Sequence, residues 1–209
     1  VEVESNHYNW DGDPIVTPPK KKKIKPKLVH IDLFSGCGGF STKLSIDIHP
    51  PSIETIQLNH KNTTTILGDI RRISNSLILQ HLQIKNIPTV ITAGVPCQGF
   101  SLANRKRHVN DKRNFLFHEF IRIAKKLKPT AVVLENVSGL MTSGYGQFKN
   151  AISEAIAELD YEVRFGLLNA ADYGVPQNRL RFFLSVCRRG RTGFSLERPT
   201  VLMASHITQ

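Results

Sequence analysis

The stretch PTVITAGVPCQGFS, residues 88–101, joins a short β-branched run to a turn that carries one thiol. A run of this kind is typical of a buried strand in a parallel sheet. In the turn, Pro96 fixes its own φ angle, and Gly94 and Gly99 permit close backbone approach on either side of Cys97. Ligands of open α/β sheets bind at the carboxyl ends of the strands. The stretch therefore predicts an α/β fold with Cys97 at its ligand-binding edge.

The composition predicts one globular domain without a membrane span. A chain of 209 residues with 40% hydrophobic side chains is long enough for one substantial core. No apolar run approaches the roughly 20 residues that cross a bilayer. Cys37, Cys97 and Cys187 are odd in number and far apart, so neither a disulfide framework nor a zinc site is expected. We expect no metal and a reducing, intracellular compartment.

The net charge of +11, from 28 basic and 17 acidic residues, indicates a polyanionic partner such as nucleic acid. Residues 1–27 are rich in turn formers and contain PPKKKKIKPK at 18–27, which predicts a disordered basic arm. The arm also fits a nuclear localisation signal, although non-specific DNA affinity is the preferred interpretation. Further basic residues follow the cysteine turn: Arg105, Lys106, Arg107, Lys112 and Arg113.

A second motif lies near the start of the predicted domain. Residues 28–34, LVHIDLF, predict the first strand, and the glycine-rich turn SGCGG follows at 35–39. Together, DLFSGCGGFS and GVPCQGFS resemble motifs of the DNA cytosine-5 methyltransferases, whose usual form has a second proline where this chain has Val95. The resemblance covers roughly residues 28–189. It implies a Rossmann-like α/β sheet with helices on both faces, which transfers a methyl group from S-adenosylmethionine to carbon 5 of cytosine.

The resemblance also implies catalytic residues. Cys97 would add to carbon 6 of cytosine, a covalent step that makes carbon 5 nucleophilic. Glu135, in the sequence ENV, would hold ring nitrogen 3 and the exocyclic amine; the alternative is a cap at a strand end. Arg179 or Arg181, in QNRLR, would hold the carbonyl oxygen and balance charge on the ring. The alternative for these arginines is a phosphate contact or a surface ion pair.

The cofactor residues follow in the same way. Phe34 would pack on S-adenosylmethionine, Asp47 would bind its ribose hydroxyls, and Asp69 would bind its adenine amino group. The glycines that would make room for it are Gly36, Gly38 and Gly39. A cap of the following turn is an equal alternative for Asp69.

One segment departs from the family pattern. Only ten residues separate Gly36 from Asp47, whereas a dinucleotide fold places its acid about 20 residues on. A helix and the start of the second strand are therefore expected to be deleted. Either Lys43 to Ser45 form a strained shortcut, or this half of the cofactor site is damaged and binds weakly.

We expect three segments. The composition gives the arm 1–27, and the resemblance implies a catalytic domain 28–189 and a tail 190–209 that begins a missing target-recognition region. The expected partners are double-stranded DNA with a flipped cytosine and a cognate restriction endonuclease. We expect a monomer in the cytoplasm, associated with the nucleoid. Two rival functions remain: an inactive fragment that binds DNA non-specifically, and a tRNA methyltransferase, which Gly99 disfavours.

Overall fold

The computed structural model describes residues 12–18, 28–40, 43–82, 87–96, 116–138, 154, 156 and 161–188. Its strands are β1 Ile15–Thr17, β2 Val29–Leu33, β3 Leu44–Asp47, β4 Thr64–Leu67, β5 Thr89–Ala93, β6 Ala131–Val137, β7 Tyr161–Asn169 and β8 Leu180–Arg188. Its helices are α1 Pro50–Asn59, α2 Asn75–Leu82 and α3 Phe117–Leu127, and a 3-10 turn spans Ala170–Tyr173. These strands form a sheet in the order β1-β4-β3-β2-β5-β6-β8-β7.

The centre of the sheet is parallel. Strands β4, β3, β2, β5 and β6 run in one direction, while β1 and β8 are antiparallel to their neighbours β4 and β6. The chain moves outward from β2 to β4 and then returns to β5 on the other side of β2. The strand order therefore reverses between β2 and β5, which is where open α/β sheets place their ligands.

Helices cover both faces, as the sequence predicted. Helix α1 packs on one face, where Gln57 Nε2 donates to Thr65 Oγ1 over 3.0 Å. On the other face, Ile31 of β2 belongs to a buried cluster with Ile78 of α2 and Phe120 of α3. The predicted Rossmann-like α/β architecture is confirmed.

The prediction of a disordered arm is wrong at Ile15–Thr17. These residues form β1, with Ile15 opposite Leu67 and Thr17 opposite Thr65 of β4. Two of the three residues are Ile and Val, and all three are β-branched, so the segment suits the edge of a sheet. The rest of the lysine-rich run, 19–27, lies outside the described residues.

The link between β2 and β3 contains no helix in its described residues 34–40 and 43. Strand β3 is nevertheless regular, with Leu44 opposite Ile31 in a parallel ladder. The ladder extends to Lys43, whose N–H donates to His30 O over 2.8 Å. The alternative of a strained shortcut at Lys43 to Ser45 is therefore wrong.

Other elements differ in detail from the sequence expectations. Glu135 lies inside β6, because pairing with β8 continues to Val137 opposite Arg181. Helix α2 was not predicted; Ser74 Oγ accepts from the Leu77 N–H at its start over 3.1 Å. Positions 154 and 156 are helical, and the other residues of 145–159 lie outside the described residues. Within the described ranges, no helix is long and apolar enough to cross a membrane.

Candidate active site

The carboxyl edge of the parallel strands gathers most of the predicted site residues. Asp47 ends β3, Phe34 follows β2, and Asp69 lies two residues beyond β4. Gly94 follows β5, and Glu135 lies near the end of β6. Parallel strands bring these chain-distant positions to one edge, so the expected cofactor residues and the expected catalytic carboxylate share it.

The glycine-rich turn after β2 is tightly wound. Phe34 has φ 58°, and Gly36 and Gly38 have φ 52° and 85°. Only glycine takes up such angles without steric cost. At Gly38 a side chain is also excluded by space, because an added Cβ would lie 2.8 Å from Ile56 Cγ1. Helix α1 therefore packs directly against the turn. Gly39 has open space at its Cβ position.

Asp47 is joined to this turn. Its Oδ2 accepts from the Gly36 N–H over 2.7 Å, and its Oδ1 accepts from the His49 N–H over 2.8 Å. Two backbone donors therefore fix the carboxylate beside the glycines, even though the link is short. Asp47 therefore lies against the glycine-rich turn, and its binding to a ribose stays a prediction.

The turn also holds an unsatisfied polar atom. Ser35 is 9% exposed, and its Oγ is a buried side-chain atom without a hydrogen-bond partner. Unpaired buried hydroxyls are costly, so a ligand that supplies a polar group fits this position. Cys37 is exposed, with its Sγ 3.7 Å from Ser52 Oγ. Among the described residues, no cluster of His, Cys, Asp and Glu could hold a metal ion.

Asp69 caps the turn that follows β4, which was the alternative to a cofactor contact. Its Oδ1 accepts from the Arg71 N–H over 2.9 Å, and its carboxylate also pairs with the Arg71 guanidinium. Burial opposes ionisation of Asp69, but the hydrogen bonds from Arg71 outweigh it and lower the pKa of the carboxyl. The side chain lies just beyond the carboxyl end of β4 as a charged acceptor.

The second half of the site is an ion pair. Arg181 Nε lies 2.9 Å from Glu135 Oε1, and the two side chains are 23% and 29% exposed. A Cβ added to Gly94 would lie 3.8 Å from Glu135 Oε2 and 3.7 Å from Phe34 O. The glycine thus leaves the carboxylate close to the strand that precedes the cysteine turn.

The structure separates the two arginines that the sequence left as alternatives. Arg181 contacts Glu135, whereas Arg179 is exposed. The backbone N–H of Arg179 donates to Asn169 Oδ1 over 2.9 Å, which anchors the 3-10 turn after β7. Only Arg181 is therefore placed to act with the carboxylate.

Cys97 and the basic loop after it, including residues 105–113, lie outside the described residues. The chain is described up to Pro96, one residue before the thiol. Val95 O accepts from Asn136 Nδ2 over 2.9 Å. Sequence reasoning missed this contact, although Asn136 stands next to Glu135 in ENV.

A buried carboxyl beneath the site was also missed. Asp32 is 2% exposed, and its Oδ1 accepts from Thr92 Oγ1 over 2.6 Å. The His30 ring hydrogen-bonds the same threonine over 2.9 Å. The pKa of Asp32 is raised to about 6. Burial is the main cause, the hydrogen bond from Thr92 opposes it, and the charge of the nearby Asp47 adds to the rise.

Comparison with known protein families gives a match over most of the chain. The family described as C-5 cytosine-specific DNA methylase matches residues 28–203. The Type II methyltransferase M1.HphI of Haemophilus parahaemolyticus is 39% identical over 74% of this chain and 44% of that protein. The Type II methyltransferase M.AquIA of Picosynechococcus sp. is 36% identical over 81% of this chain and 75% of that protein. The chain therefore spans less than half of M1.HphI and three quarters of M.AquIA.

Solved structures give the same architecture. A DNA modification methyltransferase encoded within an E. coli prophage superposes with a TM-score of 0.68 at 29% identity, covering 80% of this chain and 49% of that one. The S. pombe Dnmt2 methyltransferase superposes with a TM-score of 0.61 at 19% identity, covering 80% and 53%. At 19% identity the second likeness shows the fold alone.

Proposed function

The chain belongs to the C-5 cytosine-specific DNA methylase family, and on that premise we propose that it methylates carbon 5 of cytosine in DNA through a covalent bond to Cys97. The observation that carries the proposal is the Glu135–Arg181 ion pair at 2.9 Å beside the strand that leads to the thiol. A carboxylate and a guanidinium on neighbouring strands present an acceptor and donors to one planar base.

Each residue has a distinct part in the proposed reaction. The Cys97 thiolate adds to carbon 6 of cytosine, and the resulting enamine is nucleophilic at carbon 5. Glu135 donates a proton to ring nitrogen 3 and accepts a hydrogen bond from the exocyclic amine, while Arg181 donates to the carbonyl oxygen, where negative charge develops. After methylation, the proton on carbon 5 leaves to a base, the thiolate departs from carbon 6, and nitrogen 3 returns its proton to Glu135, so the ring regains its aromaticity.

The cofactor half of the site fits S-adenosylmethionine. The glycine turn leaves open space at Gly36 and Gly39, and the unpaired Ser35 hydroxyl offers a polar contact. Asp47 would bind the ribose hydroxyls, and Asp69 the adenine amino group, with Phe34 against the ring. When bound, S-adenosylmethionine supplies an electrophilic methyl group.

The partners are proposed from the relatives. Because two relatives are named Type II methyltransferases, we infer that the substrate is double-stranded DNA in a restriction-modification system with a cognate endonuclease. The target cytosine must leave the base stack to reach both Cys97 and Glu135. We propose that the catalytic unit is 28–189 and that it acts as a monomer on nucleoid DNA in the cytoplasm.

Covalent trapping tests the proposal. Duplex DNA containing 5-fluorocytosine should form a denaturation-resistant adduct in the presence of S-adenosylmethionine, because fluorine on carbon 5 blocks release of the thiolate. Cys97→Ser should abolish the adduct, whereas Cys37→Ser, at an exposed cysteine of the glycine turn, should retain it. Glu135→Gln should slow trapping by about 10²-fold. An adduct that survives Cys97→Ser would contradict the assignment.

A further inference from the structure

The geometry points to Asn136 as the positioning residue that holds the turn before Cys97 in register with Glu135. This inference rests on the proposed function and adds a residue that takes no direct part in the chemistry. Asn136 touches no reacting atom in the proposed mechanism. It acts through the backbone of the turn, residues 94–96, which is followed directly by the thiol.

The hydrogen bond between Asn136 and Val95 is buried, and both polar atoms of the Asn136 amide have partners. Asn136 is 4% exposed and Val95 is 3% exposed. Asn136 Nδ2 donates to Val95 O over 2.9 Å, and Asn136 Oδ1 accepts from the Val137 N–H over 2.8 Å. Buried hydrogen bonds of this kind hold one conformation, because a lost partner leaves an unsatisfied polar group away from water.

The Asn136 side chain bonds to the turn just beyond the last paired residues of β5 and β6. The parallel register of β5 and β6 ends with Ala93 opposite Leu134. One residue later the Gly94 N–H donates to Leu33 O of β2 over 3.3 Å. The ladder therefore ends beside Glu135, where the turn 94–96 must stay aligned with that carboxyl group. Beyond the last pair of this ladder, the amide of Asn136 supplies a cross-strand bond between β6 and the turn.

Glu135 and Asn136, adjacent residues of β6, make contacts on opposite faces of the sheet. Side chains of consecutive strand residues point to opposite faces of a sheet, so Glu135 reaches Arg181 while Asn136 reaches Val95. In the proposed reaction one pyrimidine must meet the thiolate at carbon 6 and the proton-donating carboxyl group of Glu135 at nitrogen 3. A displacement of about 1 Å between such groups costs about 10²-fold in rate. The Asn136 bond fixes the backbone of the turn 94–96 relative to β6, and through that turn we infer that it aligns the residue that follows.

The test compares Asn136→Ala and Asn136→Asp with Val132→Ala in the full chain. Val132 is 2% exposed on the same strand and lies opposite Ile91, four residues before Val95, so its truncation controls for loss of stability. Trapping on 5-fluorocytosine DNA should slow by about tenfold to a hundredfold in Asn136→Ala and by less than about threefold in Val132→Ala. Calorimetric affinity for S-adenosylmethionine should change by less than about threefold in both.

The aspartate variant adds a readout that general destabilisation does not produce. A protonated carboxyl can donate to Val95 O, whereas a carboxylate cannot. Trapping by Asn136→Asp, relative to the unmodified chain at each pH, should therefore recover as the pH falls from 8 to 5.5. Equal slowing in Asn136→Ala and Val132→Ala, or no slowing in Asn136→Ala, would overturn the inference.

A thiol measurement separates this inference from the proposed function. Iodoacetamide labelling followed by peptide mass spectrometry gives the Cys97 rate relative to the exposed Cys37. The ratio should change by at least about threefold in Asn136→Ala and stay constant in Val132→Ala. If the unmodified chain forms no adduct, the proposed function fails while this ratio still decides the role of Asn136. An unchanged ratio would then contradict that role.

Discussion

Arg181 on β8 and Glu135 on β6 form an ion pair 2.9 Å long between antiparallel neighbours. The sheet places Arg181 opposite Val137, two positions along from Glu135 on the same face. Arg179, two residues earlier on the chain, makes no comparable contact with Glu135 and is exposed. The pair therefore distinguishes two arginines that are equivalent in sequence.

Replacement of these arginines should give unequal effects. Arg181→Ala should slow trapping on 5-fluorocytosine DNA by about 10² to 10³-fold, because a donor to the developing oxyanion is removed. Arg179→Ala is the matched control and should stay within about threefold, as its backbone, not its side chain, anchors Asn169. Single-turnover rates measure both. A larger loss in Arg179→Ala would reverse the assignment.

Asp47 should control cofactor affinity. In Asp47→Asn the charge is lost, and we expect S-adenosylmethionine to bind about tenfold to a hundredfold more weakly, the equivalent of about 1.5 to 3 kcal/mol. Glu54→Gln, at an exposed carboxylate of the adjacent helix α1, removes the same charge away from the turn. Isothermal calorimetry compares the two variants. Equal affinities would show that Asp47 does not contact the ligand.

Substitution of Gly38 should destabilise the fold far more than substitution of Gly39. Gly38→Ala places a Cβ 2.8 Å from Ile56 Cγ1 at a φ of 85°, so both steric overlap and backbone strain oppose folding. We expect a loss of about 2 to 4 kcal/mol in unfolding free energy. Gly39→Ala, with open space at its Cβ position, should lose less than about 1 kcal/mol. Urea titration without cofactor measures both, and similar losses would contradict the packing described.

Asp32 should make stability fall as the pH rises. Its pKa in the folded chain is raised from 3.8 to about 6, so the native state favours the protonated form. The associated stability is complete below pH 3.8 and is lost as the pH rises through about 6. A shift of this size corresponds to about 3 kcal/mol.

Asp32→Asn keeps an acceptor for Thr92 and removes the ionisation. The variant should therefore be more stable than the unmodified chain above pH 6, by an amount on the order of 3 kcal/mol, and the difference should shrink toward pH 4. Chemical denaturation across this range measures the difference. Parallel stability profiles of the two proteins would show that Asp32 does not titrate as described.

The sequence by itself determined the α/β fold class and the positions of the turns after β2 and β5. Runs such as TVITA at 89–93 have the β-branched composition of buried parallel strands. The glycines at 36 and 38 adopt the positive φ angles that their residue type permits. These features are local, so periodicity and residue type were enough to predict them, and the motifs around Asp47 and Glu135 followed from resemblance.

Only the tertiary structure decided which side chains meet. The ion pair of Arg181 with Glu135, the bond from Asn136 to Val95, and the bond from Thr92 to Asp32 all join strands that are distant along the chain. Strand β1 depends on its pairing with β4, a contact that no local pattern specifies. Register between strands is set by the packing of the whole sheet, because neighbouring strands come from separate parts of the chain. Local sequence therefore identified the groups, and the sheet fixed their partners.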